Sequence, residues 1–84
     1  MRSCFVTFRS VTYAQRGEKA LRAVGIGCVL QRTPRVLEER GCGYNLSIYQ
    51  SDVERAVVVL RQSQIPFRKV YCRQADGTMG EVAV

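Results

Sequence analysis

The 84-residue chain contains no histidine, which excludes mixed Cys/His zinc sites and histidine-based acid–base catalysis. Its four cysteines form no C-x-x-C pair. The sequence also lacks a P-loop, a G-x-G-x-x-G fingerprint and paired carboxylates at a useful spacing. We therefore expect a protein that is not an enzyme and that uses neither a metal nor a cofactor.

Long hydrophobic runs are absent as well. No apolar stretch approaches the roughly 20 residues of a membrane helix, and the first apolar run is shorter than the roughly 7–15 residues of a signal peptide. Only 2 residues are proline and 7 are glycine, which argues against disorder. These features predict one cytoplasmic domain over residues 1–84, with a core over about 3–73, a tail at 74–84 and no membrane partner.

Positive charge is in excess, with 13 Lys and Arg against 7 Asp and Glu. Eleven of these bases are arginine, and eight of the thirteen lie in residues 1–42. Arginine suits phosphate and carboxylate groups, so the excess fits a nucleic acid, an acidic protein or an anionic ligand. A basic surface without a dedicated partner is the alternative. The stripe of Arg16, Lys19 and Arg22 on the first predicted helix favours that alternative, because such a stripe is usually the solvated side of a helix.

The alternation of apolar residues predicts six elements in the order βαββαβ. Ser10 is a helix N-cap, Gly25 fits a helix C-terminus, and Ser51 with Glu54 forms a capping box. The compact solution is an α+β, ferredoxin-like fold with a four-stranded antiparallel sheet and both helices on one face. The tail is either a loose end or a fifth edge strand. The predicted strands are 3–9, 26–32, 44–49 and 67–73, and the predicted helices are 11–24 and 52–63.

Strand alternation places Cys4, Cys28 and Cys72 on the helix-facing side of the sheet, as small core residues. We expect no disulfide framework, because cytosolic thiols are normally kept reduced. The opposite face is predicted to be open. It carries polar, aromatic and aliphatic residues, namely Phe5, Thr7, Val29, Gln31, Asn45, Ser47, Lys69 and Tyr71.

This open face suggests two binding roles. Phe5 to Phe8 copies the last half of the RNP1 motif of RNA-recognition domains. However, the segment lies on the first strand instead of the third and lacks the Lys/Arg-Gly start, so a nucleic-acid partner is not expected. Phe5 and Tyr71 could instead cover a contact between two copies of the chain, which makes a homodimer possible. A binding or dimerisation module without reactive groups is therefore the alternative function.

Cys42 is the one cysteine outside a predicted strand. Gly41 and Gly43 flank it and would let another molecule approach the sulfur closely. Arginines nearby in sequence favour a thiolate, whereas two nearby glutamates and the C-terminal end of a short helical turn over 34–40 oppose it. A functional thiol and an inert surface thiol both remain open. The basic neighbours are Arg32, Arg35 and Arg40, and the acidic ones are Glu38 and Glu39.

Three groups of residues resemble the selenium/sulfur carrier-like family of small ferredoxin-like proteins. The first half resembles it in Cys4 to Phe8, Ser10, Ala14, Glu18 to Leu21, and Gly25-Ile26. The central signature is Arg32 to Arg35 followed by Cys42-Gly43-Tyr44, and the last part is Asp52 to Glu54, Leu60 and Val70-Tyr71.

This resemblance covers about residues 4–73 and implies a non-enzymatic carrier. On that basis, Cys42 accepts sulfur or selenium as a persulfide or selenosulfide, while Thr33, Pro34, Arg35 and Gly43 shape the loop around it. It further implies a donor such as a cysteine desulfurase and an acceptor such as selenophosphate synthetase.

Overall fold

A computed structural model describes residues 3–33 and 43–84 of the chain. The six predicted elements are present in the predicted order, with shorter bounds for most of them. The strands are β1 (Cys4–Phe8), β2 (Val29–Arg32), β3 (Tyr44–Ile48), β4 (Val70–Arg73) and β5 (Met79–Val82), and the helices are α1 (Val11–Ala23) and α2 (Val53–Gln62).

The five strands form one antiparallel sheet in the order β2-β3-β1-β4-β5. The α+β class with two helices is confirmed. The prediction of four strands was wrong, because the tail forms β5 beside β4. The alternative prediction, a fifth edge strand in the tail, is confirmed. A tight turn makes this pairing possible: Gly77 has a φ of +88°, and Asp76 accepts hydrogen bonds from the amide and hydroxyl of Thr78 at 3.0 and 2.6 Å.

The two helices begin in different ways. Ser10 caps α1 as predicted, since its hydroxyl accepts the amide of Tyr13 at 3.3 Å. Gly25, with a φ of +81°, follows the last turn of the same helix, also as predicted. The capping box of Ser51 and Glu54 was wrong: a 3₁₀ turn over Gln50–Asp52 leads into α2, and Asp52 caps it without a side-chain hydrogen bond.

Both helices pack on one face of the sheet. Gly17 of α1 lies at the closest approach, because a Cβ there would lie 3.0 Å from Phe8, 3.2 Å from Leu46 and 3.3 Å from Leu60. These contacts join β1, β3 and α2 around one residue of α1. The buried core also contains, from both helices and the sheet, Val6, Ala14, Leu21, Ile26, Ile48, Val53, Ala56, Val57, Ile65 and Val70.

The other face of the sheet is closed at its centre. The prediction that Thr7, Asn45 and Ser47 are open was wrong, since they are 2%, 0% and 6% exposed. All three have hydrogen bonds: Thr7 and Ser47 donate to the carbonyls of Lys69 and Val29, and Asn45 donates to the Thr33 hydroxyl. Phe5 and Tyr71 are directly opposite each other across β1 and β4 and are half-buried.

Cys4 and Cys72 are disulfide-bonded, so the expectation of reduced thiols was wrong for this pair. The two residues are partners in the β1–β4 register, with Cα atoms 4.0 Å apart, although 68 residues separate them in sequence. Both are buried, as predicted. Cys28 is also buried, and its thiol donates to the carbonyl of Glu18 at 3.9 Å.

Candidate functional site at the base of the 34–42 loop

The chain leaves the sheet at Thr33 and returns to it at Gly43. The amide of Thr33 donates to the carbonyl of Gly43 at 2.9 Å, one residue beyond the Arg32–Tyr44 pair that ends the β2–β3 ladder. Of the predicted site, the structure therefore brings Thr33 and Gly43 together. The other members, Pro34, Arg35 and Cys42, lie outside the described residues, as do Glu38, Glu39, Arg40, Gly41 and the predicted helical turn over 34–40.

The buried side-chain amide of Asn45 forms a hydrogen bond with the Thr33 side chain. Its side chain is 6% exposed, and its hydroxyl accepts a hydrogen bond from Nδ2 of Asn45, which is fully buried, at 3.3 Å. Oδ1 of Asn45 has no hydrogen-bond partner among residues 3–33 and 43–84. Burying an unpaired polar atom costs free energy, so the described residues satisfy the Asn45 side chain only through its bond to Thr33.

Asn45 was not among the predicted site residues. Alternation placed it on an open face, where asparagine is unremarkable. The available signal was an asparagine inside a strand, a setting in which this residue type is depleted.

Gly43 has room around it. A Cβ at this position would meet no atom within 4 Å among the described residues, and its φ lies outside the left-handed region. Backbone strain and crowding by the described residues therefore do not require glycine here.

The end of the sheet that carries the loop base is rich in arginine. Arg32 lies over the ring of Tyr44 at 5.5 Å, and Tyr44 is the register partner of Phe8 on β1. Arg68 follows on the far side of β1, where its amide donates to the carbonyl of Thr7 at 2.8 Å. Arg9, directly after Phe8, is exposed at the same end.

Two of the described acidic residues lie at the opposite end of the sheet, and two others are in ion pairs. Asp52 and Asp76 come after the C-terminal ends of β3 and β4, at the opposite end of the sheet. Glu18 is 3.8 Å from Arg22, and Glu81 is 3.5 Å from Lys69. Among residues 3–33 and 43–84, Arg9, Arg32 and Arg68 therefore place positive charge at this end of the sheet, which favours an anion.

The two arginines of the basic stripe on α1 contact nearby residues of this chain. Arg16 lies over the Tyr13 ring at 5.9 Å, and Arg22 donates to the carbonyl of Cys28 at 2.7 Å besides its contact with Glu18. These contacts favour the interpretation of the stripe as a solvated helix side over that of a docking surface.

The three described cysteines are removed from the loop end. Cys4 and Cys72 lie where β1 begins and β4 ends, at the opposite end of the sheet, and they are bonded to each other. Cys28 is 0% exposed. Among the described residues, no group of three or more Cys, Asp or Glu is placed to hold a metal ion. No helix in the described ranges is long and apolar enough to cross a membrane.

Comparison with known protein families gives the class of this protein. Residues 3–72 match the family described as "Putative Se/S carrier protein-like". The match spans most of the chain, so the protein belongs to this family, and the resemblance found in the sequence is confirmed. A carrier-like family indicates a non-catalytic protein. No curated protein and no solved structure matched the chain.

Proposed function

We propose that this protein carries sulfur or selenium on Cys42. Family membership supports a carrier of these elements. The observation that selects the cysteine is the state of the other three: Cys4 and Cys72 are bonded to each other, and Cys28 is fully buried. A thiol that exchanges a group with partner proteins must be accessible to them, and the remaining cysteine in the sequence is Cys42.

The transfer is a pair of displacement reactions at sulfur. In loading, the Cys42 thiolate attacks the terminal sulfur of a donor persulfide; a new S–S bond forms, and the donor cysteine leaves as a thiolate. In delivery, a nucleophile on the acceptor attacks the same terminal atom, and Cys42 leaves as a thiolate. Each step breaks one bond and forms one, so no external oxidant is needed. A selenium atom in the terminal position gives the selenosulfide equivalent.

The residues around the loop have supporting roles in this proposal. Thr33 and Gly43 fix the two ends of the loop, and the family resemblance implies that Pro34 and Arg35 help to shape it around Cys42. The positive charge of Arg9, Arg32 and Arg68 at this end favours the thiolate and the persulfide anion. A cysteine desulfurase fits the donor chemistry, and selenophosphate synthetase fits the acceptor. The proposal keeps the cytoplasmic location expected from the sequence, a compartment in which a disulfide such as Cys4–Cys72 is rare.

We also infer that the scaffold is ferredoxin-like with one added strand. The order β2-β3-β1-β4 and the two helices on one face support this assignment, and β5 extends the sheet at the β4 edge. In this arrangement the loop between β2 and β3 leaves the same end of the sheet as the start of α1.

Loading can be measured by intact mass spectrometry. The full-length protein is incubated with a cysteine desulfurase and cysteine, and we expect it to gain the mass of one sulfur atom, which reductant then removes. Cys42→Ser should gain nothing, whereas Cys28→Ala, which removes a buried thiol, should load like the wild type. The same adduct on Cys42→Ser, or no adduct on the wild type, would refute the proposal.

A second candidate function rests on the Phe5–Tyr71 pair. These two rings face each other across β1 and β4, are half-buried, and share their side of the sheet with Val29, which is 40% exposed. Such a surface suits a contact between two copies of the chain. On this alternative, Tyr71→Glu gives a smaller particle by light scattering and Cys42→Ser changes nothing. A monomeric wild type would eliminate it.

A further inference from the structure

A cavity of about 220 Å³ lies beside the start of α1. It is lined by Arg9, Tyr13, Pro66, Phe67 and Arg68. Arg9 and Tyr13 stand on either side of the helix cap Ser10, and Phe67 and Arg68 belong to the segment that leads into β4. Two segments that are distant in sequence therefore build one pocket, at the end of the sheet that also carries Thr33 and Gly43.

The lining is positively charged. Among the described residues, it includes the guanidinium groups of Arg9 and Arg68 and no carboxylate. The first turn of α1 contains no acidic residue, so the positive end of the helix dipole is not offset there. Two further arginines lie over the pocket's rings, each at 5.9 Å: Arg16 over Tyr13 and Arg61 over Phe67. An anion in this pocket meets positive potential from both of the segments that form it.

The other three residues that line the pocket contribute ring side chains. Tyr13 and Phe67 supply aromatic rings, and Pro66 supplies an aliphatic ring. Aromatic side chains pack well against planar apolar groups, and arginine binds carboxylate or phosphate through paired hydrogen bonds. Drug-sized ligands occupy sites of roughly 300–1,000 Å³, so this smaller cavity suits a ligand with about one ring.

We propose that this pocket binds small organic anions that combine one planar apolar ring with a carboxylate or phosphate group. The anionic group is held by Arg9 and Arg68, and the ring lies against Tyr13 and Phe67. This inference stands on the pocket alone and does not depend on sulfur transfer at Cys42.

An amide NMR titration of the full-length ¹⁵N-labelled protein tests it with phenyl phosphate as the probe. We expect saturable shifts confined to the amides of Arg9, Tyr13, Phe67 and Arg68, and weaker binding as sodium chloride is added. Inorganic phosphate and phenol, which each carry half of the probe's chemistry, should bind less tightly. Equal binding of either one, or no shifts at these amides, would overturn the proposal.

Two variants that each remove one positive charge distinguish binding in the pocket from unspecific attraction to the basic surface. Arg9→Gln should weaken phenyl phosphate binding about tenfold, because it removes a charge-assisted hydrogen bond. Arg73→Gln removes the same charge from an exposed site at the opposite end of β4 and should bind as the wild type does. The same spectra report whether each variant is folded. Equal affinity in Arg9→Gln and wild type, or an equal loss in both variants, would contradict the assignment.

Discussion

The amide of Thr33 donates to the carbonyl of Gly43 at 2.9 Å, and this bond extends the β2–β3 ladder beyond Arg32 and Tyr44. It fixes both ends of the 34–42 segment to the sheet. The residue before Gly43 is Cys42, so the proposed carrier residue is joined to a held position in the backbone. A carrier thiol that must meet two partner proteins gains from such a fixed starting point, because less ordering is needed on docking.

The hydrogen bond between Asn45 and Thr33 predicts a cost for removing the Thr33 hydroxyl. Thr33→Val leaves Nδ2 of Asn45 buried without its described acceptor, so we expect the free energy of unfolding to fall by about 1–3 kcal/mol. Urea denaturation measures the change. Thr12→Val, at an exposed position on α1, is the control and should change stability by about 0.5 kcal/mol or less. Equal stability of the Thr33 variant and the control would show that the buried hydrogen bond is not formed.

The Cys4–Cys72 disulfide predicts that stability depends on reductant. It closes a segment of 68 residues, for which loop-closure entropy predicts about 4 kcal/mol of stabilisation. Thermal unfolding with and without reductant should show the loss in the wild type. The double variant Cys4→Ala/Cys72→Ala should unfold at the same temperature with and without reductant. Cys28→Ala should lose as much stability on adding reductant as the wild type does. Peptide mapping of the untreated protein must find the linked Cys4 and Cys72 peptides; four unlinked cysteine peptides would contradict the finding.

The close packing at Gly17 predicts that larger side chains there destabilise the fold. A Cβ would already lie 3.0 Å from Phe8, and the branches of Gly17→Val add further contacts with β3 and α2. We expect a loss of about 1–3 kcal/mol in the free energy of unfolding. Gly43→Ala is the comparison, because its Cβ meets open space among the described residues and should leave stability nearly unchanged. A stable Gly17→Val would mean that α1 does not pack on the sheet this closely.

The turn between β4 and β5 predicts a local pH dependence. The side-chain and backbone hydrogen bonds from Thr78 hold the pKa of the exposed Asp76 below its ordinary value. A lowered folded pKa means that the turn is stabilised at pH values above the ordinary value and loses this contribution as the pH falls through the folded pKa. Thr78→Val should move the pKa back upward, as followed by NMR titration of the Asp76 carboxyl carbon. An identical pKa in the two proteins would exclude the hydroxyl as its main cause.

Elements with local signals were predictable from the sequence. Ser10 and Gly25 lie at helix ends whose geometry depends on neighbouring residues, and both were found. The pattern of Ser51 and Glu54 looked equally local, yet the chain enters α2 through a 3₁₀ turn. The amide of Asp52 donates to the carbonyl of Tyr49 at 2.9 Å, which gives this helix start a backbone partner in place of the predicted cap.

Features set by distant residues were missed. The pairing of Cys4 with Cys72 depends on the register of β1 against β4, which no spacing in the sequence reveals. Asn45 looked like an outward residue, since alternation gives the face of a strand residue but not whether that face is covered. At the candidate site, Thr33 and Gly43 came from a family resemblance, and the structure explains their proximity through one backbone hydrogen bond.

The measurement that tests the carrier proposal most directly is the location of the transferred atom. The protein is loaded by a desulfurase with isotopically labelled sulfur, alkylated, digested without reductant and mapped by mass spectrometry. The proposal predicts the labelled sulfur on the peptide that contains Cys42 and its transfer to an acceptor protein when one is added. Label on the peptide of Cys4, Cys28 or Cys72 instead, or on none of the four, would contradict it.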